Sequence, residues 1–210
     1  MLKLVHAPMS RSSRILWLIE EMGIADMVAV ETVNIRRFDG SGARDVANPH
    51  PEGKVPVLFH TTPDGEAMVT ESGAVMLYLT ALFPDSGLAP KPGTAQRGAF
   101  LTWLFWYGSV MEPVLTMAAA GVSHPYLTAA IRGVDEVNAR LHGALEKGPW
   151  LLGERFSAAD LLCFSPYNWF SDATPDDPLI RDWVARCLAR PSVARVRALD
   201  QAWMAQAAAA

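Results

Sequence analysis

The chain has 210 residues, 50% of them hydrophobic and 19% charged, with a net charge of −4. That composition is ordinary for a globular protein and long enough for one large domain or two small ones. No Lys/Arg run forms the basic stripe of a nucleic-acid-binding surface, and no apolar stretch reaches the roughly eighteen residues of a membrane span. Cys163 and Cys187 lack the C-x-x-C spacing of a redox pair or zinc site, and the five histidines show no metal-ligand spacing.

The first elements read as β, α, β. LKLVH (2–6) is a short apolar strand. SRSSRILWLIEEMG (10–23) places Ile15, Leu18, Ile19 and Met22 at helical spacing, with Gly23 as a C-terminal stop. MVAVETVNI (27–35) is rich in β-branched residues and reads as a second strand. A polar loop leads to a strand at VPVLF (55–59), a turn at TTPDGE, a short strand at AMV and a helix at 71–84, ended by Pro84.

Residues 84–94, PDSGLAPKPGT, form a linker by composition. Everything beyond reads as helical. Apolar spacing predicts helices over 96–118, 126–147 and 156–170, and a last helical stretch over 178–206 split at Pro191. Cys163 and Cys187 fall in apolar helical stretches and are read as buried thiols. The five-residue apolar run before His6 is too short for a signal-peptide core, so a soluble, cytoplasmic protein is expected.

Three local patterns go further. They are Gly53-Lys54-Val55-Pro56-Val57-Leu58, Glu71-Ser72-Gly73-Ala74-Val75-Met76-Leu77-Tyr78-Leu79, and Phe156-Ser157-Ala158-Ala159-Asp160. In this order and at these separations the chain resembles the cytosolic glutathione S-transferase family, in its bacterial type with serine or cysteine in the N-terminal loop. The resemblance implies an α/β thioredoxin-like N-terminal domain plus an all-α helical C-terminal domain. Residues 1–83 would bind glutathione, 84–94 would link, and 95–210 would contribute the electrophile site. It also implies glutathione as co-substrate with no tightly bound cofactor, a small hydrophobic electrophile as second substrate, a homodimer and a role in detoxification.

Proline is unusual among strand residues because it lacks an N–H for the ladder. By resemblance, the Val55-Pro56 bond is cis, and the N–H and C=O of Val55 stay free to pair with the peptide-like middle of glutathione, as an added strand does. Glu71 and Ser72 open a helix whose free N–H groups and dipole attract a carboxylate. By resemblance this pair holds the γ-glutamyl end. Ser72 reads equally as an ordinary helix cap. Lys54 is the candidate for the glycyl carboxylate or a nearby backbone contact.

In the family, the loop before the first helix carries a Tyr, Ser or Cys that contacts the sulfur. Here APMSRSSR (7–14) offers Ser10, Ser12 and Ser13 and neither tyrosine nor cysteine. Ser10 matches the family position best, and Ser12 or Ser13 takes its place if the loop is offset; all three also suit helix capping. Arg11 would add positive potential there or point to solvent. A serine points to activating glutathione for attack on an electrophile, or to peroxide reduction, where a cysteine would point to thiol–disulfide exchange. Trp106 and Tyr107, in WLFWYGSVMEP, are the candidates for the second-substrate wall. A non-catalytic binding or protein-interaction module of the same fold is the alternative, since fold alone does not decide function.

FSAAD reads as structure: Ser157 caps a helix and Asp160 bonds back to it. His50 and His60 flank the third strand and are read as surface residues. His50-Pro51 is read as a departure from the Asn-Pro that the family often carries.

Overall fold

The computed structural model describes residues 1–209. Four strands form one sheet: β1 (Leu2–His6), β2 (Val28–Thr32), β3 (Val57–Thr62) and β4 (Gly65–Thr70), in the order β2-β1-β3-β4. β1 and β2 are parallel, and a parallel pair needs a crossover. α1 (Ser13–Met22) supplies it and ends at Gly23, whose φ of 68° suits a residue without Cβ. β3 pairs antiparallel with β1 and with β4. α2 (Ser72–Leu82) follows β4, with Val75, Met76 and Leu79 buried at helical spacing.

The remaining helices are α3 (Ala95–Trp106), α4 (Glu112–Ala119), α5 (Pro125–Ile131), α6 (Val134–Leu145), α7 (Ala158–Trp169), α8 (Pro178–Leu188) and α9 (Pro191–Ala209). The chain forms two compact units. One holds Met1–Ser86 together with the chain from Arg190 onward; the other is Gly87–Ala189. The expected boundary, with everything after 94 in a second domain, therefore misplaces α9. The reason is chemical. Glu21 on α1 accepts from Arg190 (2.8 and 2.5 Å) and from the Ser192 hydroxyl (2.5 Å), and Glu20 accepts from Arg195 (2.7 Å). α1 is buried along Ser13–Ile19, with α2 and α9 among its neighbours.

Two expected helices are interrupted. The 96–118 stretch widens into a π-helical turn at Tyr107–Met111. Pro113 has no N–H for the carbonyl four residues back and its ring crowds that carbonyl, so the ladder shifts there. The 126–147 stretch breaks at Arg132 (φ 66°) and Gly133, and the Glu136 carboxylate accepts from the Gly133 N–H (3.0 Å) to start α6. Pro166 lies inside α7 and leaves the Leu162 carbonyl without its usual donor; the Ser165 hydroxyl donates to it instead (2.7 Å).

The FSAAD reading holds. Asp160 accepts from the Ser157 N–H (2.9 Å) and hydroxyl (3.0 Å), and also from the Leu151 N–H (2.9 Å) and Trp183 Nε1 (3.0 Å). Burial pushes the Asp160 carboxyl above its ordinary value. Cys163 and Cys187 are free, buried thiols.

Candidate functional site

Sheet register gathers the predicted residues of the first unit. Val57 opens β3 and stands between Val5 of β1 and Thr70 of β4. The chain just before Val57 is Lys54-Val55-Pro56, the chain after Thr70 is Glu71-Ser72, and β1 ends at His6 with the serine loop following. All three segments therefore emerge at one end of the sheet. Trp106 and Tyr107 belong to the other unit.

The Val55-Pro56 bond is cis. The Val55 side chain packs in an apolar cluster with Val5, Ala7, Val33 and Val57. Its backbone lies outside both β3 ladders, and among the described residues neither its N–H nor its C=O takes part in a turn or loop hydrogen bond. The approach to it is stiff. Gly53 sits at φ 67° beneath the Arg44 side chain, Arg44 donates to the His50 carbonyl (3.1 Å), and Asn48 Nδ2 donates to the Lys54 carbonyl (3.2 Å).

Ser72 does not cap α2. It is the first helical residue, 8% exposed; the cap position is Glu71, at φ 69° and ψ 126°, and its side chain makes no capping hydrogen bond. A non-glycine residue held in that region is strained by about 1–3 kcal/mol, and such residues cluster at functional sites. The first N–H groups of α2 are thus left for water or a ligand. Lys54 is exposed and paired with Glu52, which lies below its ordinary carboxylate value because of the Lys54 hydrogen bond and then its charge.

The three loop serines separate by burial. Ser12 is fully buried and Ser13 is 3% exposed, whereas Ser10 is only partly buried. The Ser13 hydroxyl donates to Asp200 Oδ2 (2.7 Å), and the Met9 N–H donates to the same oxygen (2.8 Å). Ser12 Oγ accepts from the Ala7 N–H (3.1 Å) and lies 2.7 Å from His6 Nδ1. The Ser10 hydroxyl donates to the Ala7 carbonyl (2.6 Å), and Ser10 Oγ lies 2.9 Å from Ser12 Oγ. Arg11 stacks over the Phe38 ring (5.1 Å), and Arg37 donates to the Pro8 carbonyl (3.1 Å).

In the second unit Tyr107 is 2% exposed, an interior packing residue, and Trp106 stacks against Trp103 and Arg140. That unit holds a cavity of about 500 Å³ lined in part by Gln96, Trp103, Arg140 and Lys147; neither Trp106 nor Tyr107 lines it.

Sequence reasoning missed His6, Asp200 and Asn48. His6 and Asp200 are 194 positions apart, and no local pattern links them. Asn48 had a signal: Asn48-Pro49 stands two residues before His50-Pro51, so the Asn-Pro pair is present after all. His50 is buried, against expectation, because its Nδ1 accepts from the Glu52 N–H (3.0 Å) and its own N–H donates to Asn48 (3.0 Å). His60 is partly buried against Tyr78 (2.8 Å). No group of three His, Cys, Asp or Glu suited to a metal occurs among the described residues, and no helix among them is long and apolar enough to cross a membrane.

Residues 8–82 match the family description "Glutathione S-transferase, N-terminal domain", and residues 104–191 match "Glutathione S-transferase, C-terminal domain". The chain belongs to the glutathione S-transferase family. Among relatives, the disulfide-bond oxidoreductase YfcG of Escherichia coli (strain K12) is 31% identical over 159 residues, covering 68% of this chain and 70% of that one. A solved glutathione transferase from Methylococcus capsulatus (strain Bath) is 27% identical with a TM-score of 0.74, covering 96% of this chain and 99% of that one. A sphingomonad glutathione S-transferase solved with glutathione has a TM-score of 0.71 at 24% identity, covering 95% and 98%, and supports the fold. The transferase fold thus has its sheet domain and its helical domain here, with α9 returning to the sheet unit.

Proposed function

We propose that this family member is a glutathione S-transferase that binds glutathione at the end of the sheet and activates its thiol through Ser10. The observation that carries this reading is the meeting of three features at one sheet end: the Val55 backbone outside the ladders, the α2 N-terminus without a side-chain cap, and the partly exposed Ser10. The cysteinyl unit pairs with Val55 N–H and C=O. The γ-glutamyl carboxylate meets the N-terminus of α2 and Ser72, and its ammonium meets Glu71. Lys54 serves the glycyl end once it leaves Glu52.

A free thiol titrates near 8.5, so only a few per cent is thiolate at neutral pH. Moving it down by about two units takes roughly 2.7 kcal/mol. A hydrogen bond to a charged acceptor supplies about 1.5–3 kcal/mol. One hydroxyl donor, with the dipole of α1, is enough. The thiolate then attacks a small apolar electrophile. With an organic hydroperoxide, two thiols supply two electrons, the O–O bond breaks, and the products are an alcohol, water and glutathione disulfide. YfcG raises thiol–disulfide chemistry as a second reading; here the serine loop has no cysteine and both protein thiols are buried, so any such exchange would run between glutathione molecules. Tyr107, interior to the second unit, is given no contact with the electrophile. The protein is taken to act as a homodimer in the cytoplasm.

Retention on immobilised glutathione, followed by turnover of an aryl halide and of an organic hydroperoxide, tests this. Ser10→Ala should keep binding and lose about a hundredfold in turnover, as loss of one oxyanion donor does elsewhere. Binding without turnover in the natural protein supports the non-catalytic module instead; no binding overturns the site.

A further inference from the structure

Behind Ser10 runs an unbroken line of polar atoms that the thiol chemistry above does not use. Asp200 Oδ1 is 2.9 Å from His6 Nε2, His6 Nδ1 is 2.7 Å from Ser12 Oγ, and Ser12 Oγ is 2.9 Å from Ser10 Oγ. His6, Ser12 and Asp200 are each at most 1% exposed, and Ser10 alone reaches the partly exposed end. On α9, Asp200 bonds the ring and Trp203 lies against it at 5.2 Å. Arg14 on α1 is the other deeply buried charged residue of this unit among the described residues.

Hydrogen counting gives the chain a direction. The Asp200 carboxylate only accepts, and it already receives the Met9 N–H and the Ser13 hydroxyl. His6 Nε2 must therefore carry a hydrogen. In neutral imidazole, Nδ1 then has a lone pair, and the Ser12 hydroxyl donates to it. Ser12 Oγ takes the Ala7 N–H and has a second lone pair facing Ser10. At rest the Ser10 hydroxyl donates to the Ala7 carbonyl (2.6 Å) and Ser10 Oγ accepts the Ser12 N–H (3.3 Å); when that hydroxyl turns to Ser12 Oγ, both hydroxyl hydrogens point inward, and the outward lone pair of Ser10 can take the hydrogen of an arriving thiol.

We propose that His6, held by Asp200, is the resting place of the glutathione thiol proton, reached through Ser10 and Ser12. The inference rests on the glutathione reading of the site. The S–H bond breaks as its proton passes to Ser10 Oγ. Ser10 gives its own proton to Ser12 Oγ, and Ser12 gives its own to His6 Nδ1. The S–H electron pair stays on sulfur. Each serine ends neutral, now pointing outward: Ser12 donates to Ser10, and Ser10 donates to the thiolate. The imidazolium faces the Asp200 carboxylate. His6, Asp200 and Ser12 never touch sulfur and are positioning residues for Ser10.

Two measurements test this on the full chain. In the first, the ultraviolet absorbance of the thiolate of bound glutathione is titrated against pH, and S-methylglutathione, which has no thiol proton, serves as the binding control. Ser12→Ala should bind S-methylglutathione within about twofold of the natural protein, yet hold about tenfold less thiolate on the rising limb of the titration, a shift of about one pH unit. Ser12→Thr, which keeps a hydroxyl, should restore it. An unchanged titration in folded Ser12→Ala overturns the relay and leaves the glutathione site standing. Failure of the natural protein to bind S-methylglutathione overturns both.

The second measurement needs no variant. Nitrogen NMR of the natural protein labelled at histidine should show the His6 ring becoming an imidazolium with glutathione and staying neutral with S-methylglutathione. The same ring state with both ligands overturns the inference.

Discussion

His6 Nε2 and Asp200 Oδ1 lie 2.9 Å apart although 194 positions separate them in the chain. Asp200 also receives the Met9 N–H and the Ser13 hydroxyl, so one buried carboxylate on α9 fixes the end of β1, the serine loop and the start of α1. Asp200→Ala would leave three donors without their acceptor, two of them, His6 Nε2 and the Ser13 hydroxyl, buried. Stranding two buried donors, at about 1–3 kcal/mol each, costs about 2–6 kcal/mol. The expected result is a loss of that size in urea unfolding, with a smaller loss for Asp200→Asn, which keeps the shape and one acceptor oxygen.

The second tie between α1 and α9 is sensitive to acid. Burial acts to raise the Glu21 carboxyl, but the hydrogen bonds from Arg190 and Ser192 and the charges of Arg190 and Arg195 outweigh it and hold Glu21 below its ordinary 4.5. A carboxyl whose folded value is depressed adds stability above its unfolded value and loses it as pH falls through the folded value. Glu21→Gln should therefore be less stable by about 1.5 kcal/mol at neutral pH, the scale of one hydrogen bond to a charged group. The gap to the natural protein should close below about pH 4.5. Thermal melts of both proteins across that range check it; a gap that is constant with pH contradicts it.

Gly53 tests the stiffness of the approach to Val55. Its φ is 67°, and an added Cβ would stand 2.8 Å from Arg44 Cγ and 2.9 Å from Cδ. Arg44 cannot swing away without losing its bond to the His50 carbonyl. Gly53→Ala should cost about 2 kcal/mol through backbone strain and the displaced contact. Glutathione affinity should fall with it, since Val55 lies two residues on. Calorimetric unfolding and titration with glutathione measure the two effects separately.

The second unit offers a contrast in which stability changes and chemistry does not. Ser157→Ala removes one hydroxyl bond to Asp160 and should cost about 1 kcal/mol. Asp160→Ala strands the Leu151 and Ser157 N–H groups and Trp183 Nε1, and should cost about 3 kcal/mol or more. Turnover per folded molecule should hold for Ser157→Ala while the yield of folded protein falls. Intact stability with lost turnover would contradict this.

The parts legible in the sequence were those written locally. The apolar run of β1, the proline just before β3 and the Ser157–Asp160 pair each carry their instruction within a few residues, and their structures follow it. Helix interruptions were missed where an apolar stripe continued past a breaker: Pro113 and the Arg132-Gly133 break lie inside stripes that look unbroken by periodicity alone. The allegiance of α9 was missed for a different reason. Its link to the sheet unit depends on Glu21, Arg190, Ser192 and Asp200, polar residues that resemble solvated surface until their partners are known. His50 was misplaced likewise, because a histidine between two prolines gives no sign that its ring accepts from the backbone of Glu52.

Glu71 sets stability against binding. Its φ of 69° and ψ of 126° place a side-chain-bearing residue where glycine is at ease, at the first step into α2. Glycine there would relieve strain of about 1–3 kcal/mol, less the greater freedom it gives the unfolded chain, for a net gain of about 1 kcal/mol. If the carboxylate answers the γ-glutamyl ammonium, the same change removes one charged partner and glutathione affinity should fall about tenfold, or 1.4 kcal/mol. Glu71→Gln separates the two terms, because it keeps the strained backbone and removes only the charge. It should show the affinity loss without the gain in stability. A Glu71→Gly protein that is both more stable and equally tight for glutathione would mean that the backbone there is bent for packing, and that the ammonium is held elsewhere.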